Sequence, residues 1–100
     1  MITKILKVVR PNTEVNFYEF SLGFVAHRLE KYITTGKVTL EVSMSEDGLT
    51  KTTVFGFLDQ AAQIEYSSDP VIKEELRSRD MHNKSNNINI ISTSIQTSLV

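Results

Sequence analysis

KVTLEVSMSEDGLTKTTVFGFL, residues Lys37 to Leu58, is the stretch whose reading decides the fold. Apolar and polar residues alternate on both sides of Asp47-Gly48, a residue pair suited to the positive backbone angles of a tight hairpin turn. A two-residue loop at Asp47-Gly48 sets Glu46 opposite Leu49, Leu40 opposite Phe55 and Val38 opposite Phe57. That register gathers Val38, Leu40, Val42, Phe55 and Phe57 on one face. A slip of one residue would turn both phenylalanines away from the aliphatic side chains, so turn and pattern select the same pairing.

Upstream, Ile2 to Arg10 reads as a strand with Leu6 and Val8 on one face and Ile5 and Val9 on the other, as suits a central strand. Pro11 ends it, because its ring fixes φ and removes a ladder donor. Asn12 or Thr13 then has the chemistry to cap a helix from Glu14 to Thr35, with Phe17, Phe20, Phe24, Val25, Leu29, Tyr32 and Ile33 in one apolar stripe. Ser21 offers a second start, which would leave NFYEFS as an irregular lead-in and begin the helix near Leu22. Gly36 suits the left-handed position beyond the helix end.

Downstream, Asp59 is an N-cap for a short helix through QAAQIEYSS, and Asp69-Pro70 starts another. Ile72 and Leu76, helped by Val71, form the buried edge of that second helix, with Glu75–Arg79 and Asp80–Lys84 spaced as exposed ion pairs. KSNN, Lys84 to Asn87, is a turn. Ile88 to Thr97 is the last strand, with Ile88 and Ile90 on one face and Ile91 and Ile95 on the other, and Ser98 to Val100 are expected to fray.

One hundred residues, 40% of them hydrophobic, suffice for one core, so residues 1–100 are expected to be a single domain. Eleven Lys and Arg balance twelve Asp and Glu, which gives no field favouring nucleic acid or an anionic membrane. The absence of cysteine removes disulfides and thiolate chemistry. No segment reaches the ~20 apolar residues of a membrane span, and the start MITKILKVVRP is too short in apolar residues for a signal. A soluble, cytoplasmic protein is expected.

Strand, helix, strand, strand, helix, strand is the ferredoxin-like βαββαβ order: an α+β fold with a four-stranded antiparallel sheet, strands one and three central and both helices on one face. The other face would collect some of Ile5, Val9, Val54, Leu58, Ile91 and Ile95, among Thr39, Glu41, Ser43 and Thr52. A homodimer with two such sheet faces together would cover them.

The element order, the long first helix, TGK (Thr35 to Lys37) before strand two, and FLDQAAQIEYSSDPVIKEEL (Phe57 to Leu76) together resemble the dimeric α+β barrel superfamily, which includes the antibiotic-biosynthesis monooxygenase-like proteins. The resemblance implies a dimeric barrel. It carries over poorly to chemistry. The haem-degrading branch uses an asparagine late in strand one, a tryptophan ending strand three and a histidine in the second helix. The matching positions here are Val9 or a neighbour, Phe57, and Glu75 or Leu76, so haem oxygenation is disfavoured and no cofactor is implied. Cofactor-free relatives hold a phenolic substrate between helices and sheet, and Tyr18, Tyr32 and Tyr66 are the comparable phenols, none of which aligns to a required position.

Other polar candidates have structural readings. His27 lies near the apolar stripe, and His82 sits near a helix end where a cation favours the dipole. No HExxH, EF-hand loop, phosphate-binding glycine loop or nucleophile elbow occurs, so neither metal nor nucleophilic catalysis is expected. Gly56 within a strand marks a bulge or a close neighbour. Glu74-Glu75, adjacent on a helix, are solvated surface. The expectation is a non-catalytic homodimer acting as an assembly or accessory unit, joined through the sheet face. The alternative is a cofactor-independent monooxygenase-like enzyme or small-molecule binder, its pocket lined by Phe20, Phe24, His27, Tyr32 and Tyr66. Nucleic-acid binding is disfavoured, since strand one lacks the aromatic RNA-binding signature.

Overall fold

A computed structural model describes residues 1–96. Its elements are β1 (Ile2–Val9), α1 (Leu22–Arg28) continued by a π-helical turn (Leu29–Ile33), β2 (Val38–Met44), β3 (Thr50–Phe57), α2 (Gln60–Ser68), α3 (Pro70–Ser85) and β4 (Asn89–Gln96). The strands form one antiparallel sheet in the order β2-β3-β1-β4, the ferredoxin-like arrangement with β1 and β3 central.

The hairpin has the expected register: Val38 pairs with Phe57 and Leu40 with Phe55. Its turn differs. The amide of Ser45 donates to the Thr50 carbonyl at 2.9 Å, and Glu46 to Leu49 form the loop. Gly48 alone in this loop has positive φ, at 73°, while Asp47 does not. The reason lies in the Asp47 side chain, whose Oδ1 accepts from the Ser45 hydroxyl at 2.6 Å and the Leu49 amide at 3.0 Å. This carboxylate closes a wider turn without the left-handed angle that a two-residue loop demands. Both loops are centred between Asp47 and Gly48, so the pairing is the same in either.

The first helix begins at the second of its two candidate starts. Ser21 is the N-cap, its hydroxyl accepting from the Phe24 amide at 3.2 Å. Asn12 caps only a turn, its Oδ1 accepting from the amides of Glu14 and Val15. The shorter helix buries a narrower stripe than expected: Phe24 and Tyr32 are enclosed, whereas Val25 and Leu29 are 40% and 49% exposed. Leu22, three residues before Val25, is also exposed. Gly36 ends the segment at φ 76°.

Asp59 and Asp69 cap α2 and α3 as expected, accepting from the amides of Ala62 and Val71, with Pro70 opening α3. Asn87 at φ 56° closes α3, and the Ile88 amide reaches back to the Asn83 carbonyl at 2.9 Å, a Schellman-type end. Ile72 is fully buried, but Val71 faces solvent. The two expected ion pairs of α3 do not form. Glu75 instead accepts from Tyr18 and Ser21, and Asp80 is taken by Arg79. Thr97 and Ser98 to Val100 lie outside the described residues.

Buried side chains lie between sheet and helices in two groups. Ile2, Phe24, Tyr32, Val38, Phe57, Tyr66 and Ile72 form the larger, and Leu6, Val8 and Ile88 the smaller, with Phe55 packed against both. On the open face, Ile5 pairs with Val54 and Thr93, and Lys7 with Thr52 and Ile91. Gly56 marks a close neighbour rather than a bulge: the register is unbroken, and a Cβ there would strike the Thr39 hydroxyl.

Candidate functional site

Between the two buried groups the packing leaves a cavity of about 170 Å³. Its floor is the helix-facing side of the sheet: Leu6, Val8, Leu40, Lys51, Thr53 and Phe55. Period-two alternation puts these there, since Lys51 has the same parity as Thr53, Phe55 and Phe57. Its roof is α3, where Leu76, Arg79 and Asn83 recur at spacings of three and four, with Tyr66 and Arg28 from the other helices. The irregular lead-in supplies Phe17, Tyr18 and Phe20 as one wall. This wall is tied to α3 at two points. Tyr18 donates to Glu75 Oε2 at 2.9 Å, and His82 Nε2 donates to the Asn16 carbonyl at 2.8 Å.

Among the described residues the charged side chains lining the cavity are Arg28, Lys51 and Arg79, all cations. The Arg28 guanidinium lies over the rings of Phe20 and Phe24, at 5.6 and 4.9 Å, and the Lys51 ammonium over Phe17 at 5.0 Å. Burial lowers the Lys51 pKa, and the neighbouring Arg79 charge lowers it further. Burial raises the Tyr66 phenol, with Arg28 opposing. Asn83 is 4% exposed, and neither its Oδ1 nor its Nδ2 has a partner. An amide buried without partners costs about 1–3 kcal/mol, which makes it the outstanding polar group of the cavity.

Of the five residues expected to surround a ligand, Phe20 and Tyr66 line this cavity. Phe24, His27 and Tyr32 do not. Phe24 stacks behind Phe20 at 5.1 Å in the core. His27 and Tyr32 converge on Asp69 instead: its Oδ2 accepts from Tyr32 Oη at 2.6 Å, His27 Nε2 at 2.7 Å and Lys31 Nζ at 3.3 Å. Burial alone would raise the Asp69 pKa, but hydrogen bonds from Tyr32, His27, the Val71 amide and Lys31 outweigh it and hold the carboxyl well below the usual range. Burial and the Asp69 carboxylate both push the Tyr32 phenol up. This cluster fastens the first helix to the start of α3. Among the described residues no three His, Asp or Glu side chains are grouped to hold a metal ion. No helix there is long and apolar enough to cross a membrane.

No family model and no curated protein matches the chain. Solved structures do. A candidate antibiotic biosynthesis monooxygenase from Deinococcus radiodurans superposes with a TM-score of 0.58 at 11% identity, over 100% of this chain and 95% of that one. Rv0793 from Mycobacterium tuberculosis gives 0.57 at 12% identity, over 100% and 98%. The chain has their ferredoxin-like fold. A de novo designed protein, Foldit4, shares it too, with a TM-score of 0.50 at 10% identity over 97% and 98% of the two chains. A ferredoxin-like fold that also hosts a designed sequence carries no activity with it, so function has to be argued from the cavity.

Proposed function

We propose that the chain, as a single ferredoxin-like domain, binds a small organic molecule in the cavity between helices and sheet, as a binding protein or a cofactor-independent monooxygenase-like enzyme. The observation that carries this is the unpartnered Asn83 amide facing an apolar space large enough for one ring. A dry engineered cavity of about 150 Å³ accepts benzene, which sets the scale. The cavity supports this reading over the assembly-only unit expected from the sequence. The likeness to the Deinococcus protein agrees with it at the level of fold.

The same proposal includes a homodimer joined through the open sheet face and a cytoplasmic location. What supports the dimer is the open face itself, where Ile5 is paired with Val54, and Ile91, the partner of Lys7, is 56% exposed.

Phenol titrated into isotope-labelled protein tests the binding reading. Amide shifts are expected around Leu6, Thr53, Phe55 and Asn83. No shift up to roughly 10 mM phenol, weaker than about 3 kcal/mol of binding, would remove it.

A further inference from the structure

We propose that the ligand is a compact single-ring aromatic anion bearing a hydroxyl, its negative charge received by Lys51 and Arg79 and its hydroxyl by Asn83. This rests on the small-molecule reading above and names its substrate class.

Charge is the first ground. The chain carries a formal net charge of −1, yet among the described residues the charged side chains lining the cavity are cations alone. Composition does not produce that bias. An adjoining pocket of about 230 Å³ shares Leu6, Phe55, Tyr66, Leu76 and Arg79 with the cavity, and the charged residues lining it are Lys4 and Arg79. The space available to a ring substituent therefore has the same sign.

Pairing is the second ground. Among the described residues Lys51 has no carboxylate within ion-pair distance. Arg79, only 17% exposed in its side chain, gives Nε and Nη2 to Asp80 Oδ1 at 3.2 and 3.0 Å, and Asp80 does not line the cavity. Of the two, Lys51 is therefore the cation without a carboxylate partner, and Arg79 keeps Nη1, which makes no hydrogen bond among the described residues. An anion placed between them gains charge-assisted hydrogen bonds.

Shape and hydrogen bonding are the third. The volume fits one ring, with the rings of Phe17, Tyr18 and Phe20 as a wall and that of Phe55 in the floor. The Asn83 amide offers both an acceptor and a donor, the pair that a phenolic hydroxyl uses. A purely apolar ligand would leave Asn83 as unsatisfied as it is in the free protein. A carboxylate without a ring would leave the aromatic walls uncovered.

The test compares 4-hydroxybenzoate with its neutral isostere 4-hydroxybenzamide, by calorimetry on the whole chain at low salt. The carboxylate is expected to bind at least about tenfold more tightly, as one charge-assisted hydrogen bond requires, with the gap narrowing as salt rises. Lys51→Met should erase most of the gap and Lys51→Arg should keep it, with folding of each verified by amide spectra; Arg79→Met provides a second variant. Equal affinity for the two compounds overturns the anion preference and leaves cavity binding intact. Discrimination unchanged in both methionine variants overturns the assignment to Lys51 and Arg79. If neither compound binds and phenol also fails, the small-molecule reading falls with the inference.

Discussion

Asp69 does two jobs through its two oxygens. Oδ1 caps α3 through the Val71 amide, and Oδ2 gathers Tyr32, His27 and Lys31. Replacing it by asparagine keeps an acceptor for the cap but removes the charge that the three donors share. Asp69→Asn is expected to lose about 2–3 kcal/mol in denaturant unfolding at neutral pH. Because the folded-state pKa of Asp69 lies below its unfolded value, its contribution is complete above about pH 4 and fades as pH falls below that. The stability gap between wild type and variant should therefore shrink toward pH 2. A gap constant across that range would contradict the account. Asn83 predicts the opposite sign. Asn83→Leu replaces an unpartnered buried amide with an apolar group of similar size, and should stabilise the free protein by about 1–2 kcal/mol while weakening phenol binding. A rise in melting temperature of roughly 4–8 °C per kcal/mol is the readout. Neither residue's environment was legible in sequence. Asp69 announced itself as a cap through Pro70, but its three other donors come from a helix some forty residues away, and no local pattern reports them.

Among the elements, the hairpin was the most legible, because two independent signals chose its register. Its turn type was not, because an aspartate side chain can satisfy the loop amides by more than one route. Excising Glu46 and Leu49 together leaves Asp47-Gly48 as a two-residue loop centred on the same point. Nuclear Overhauser contacts between Val38 and Phe57 should survive that excision, and their loss would show that loop geometry, rather than the apolar face, sets the pairing. The lead-in before α1 illustrates the reverse. Phe17, Tyr18 and Phe20 have helical spacing, yet Tyr18 and Ser21 are drawn to Glu75 and the helix starts only after that contact. Helical periodicity and a wall of aromatic residues look alike until the partner on α3 is known.

At the scale of the molecule, the extents are 43 × 31 × 19 Å, the thin axis being one sheet plus one layer of helices. Among the described residues the helices pack on one sheet face only, and no helix lies over the other. Ile5 and Val54, paired near the middle of that face, would be central to a twofold contact. Wild-type protein is expected to sediment as a dimer at micromolar concentration, and Val54→Glu as a monomer, since the new carboxylate would be buried opposite the like charge of Glu41, its cross-strand partner. A wild-type monomer at those concentrations would sink the proposed dimer. The mixed character of the face, with Lys7, Glu41 and several threonines among the aliphatic residues, suits an interface that tolerates some water.

Strand and helix order, the hairpin register, the caps at Asp59 and Asp69 and the faces of the central strands were determined by the sequence itself, because each depends on residues within one element or on the twofold alternation of neighbouring strands. The sequence also held the parity that puts Lys51 on the same sheet face as Phe55 and Phe57. Only the tertiary structure decided that Arg28, Lys51, Arg79 and Asn83 surround one space, that Glu75 and Asp69 hold distant segments, and that the expected ring of five residues divides between a cavity and a clasp. A cavity is a shortfall in packing between elements, and its lining is chosen by how helices settle on a sheet, a balance of many weak contacts that no single stretch of chain encodes.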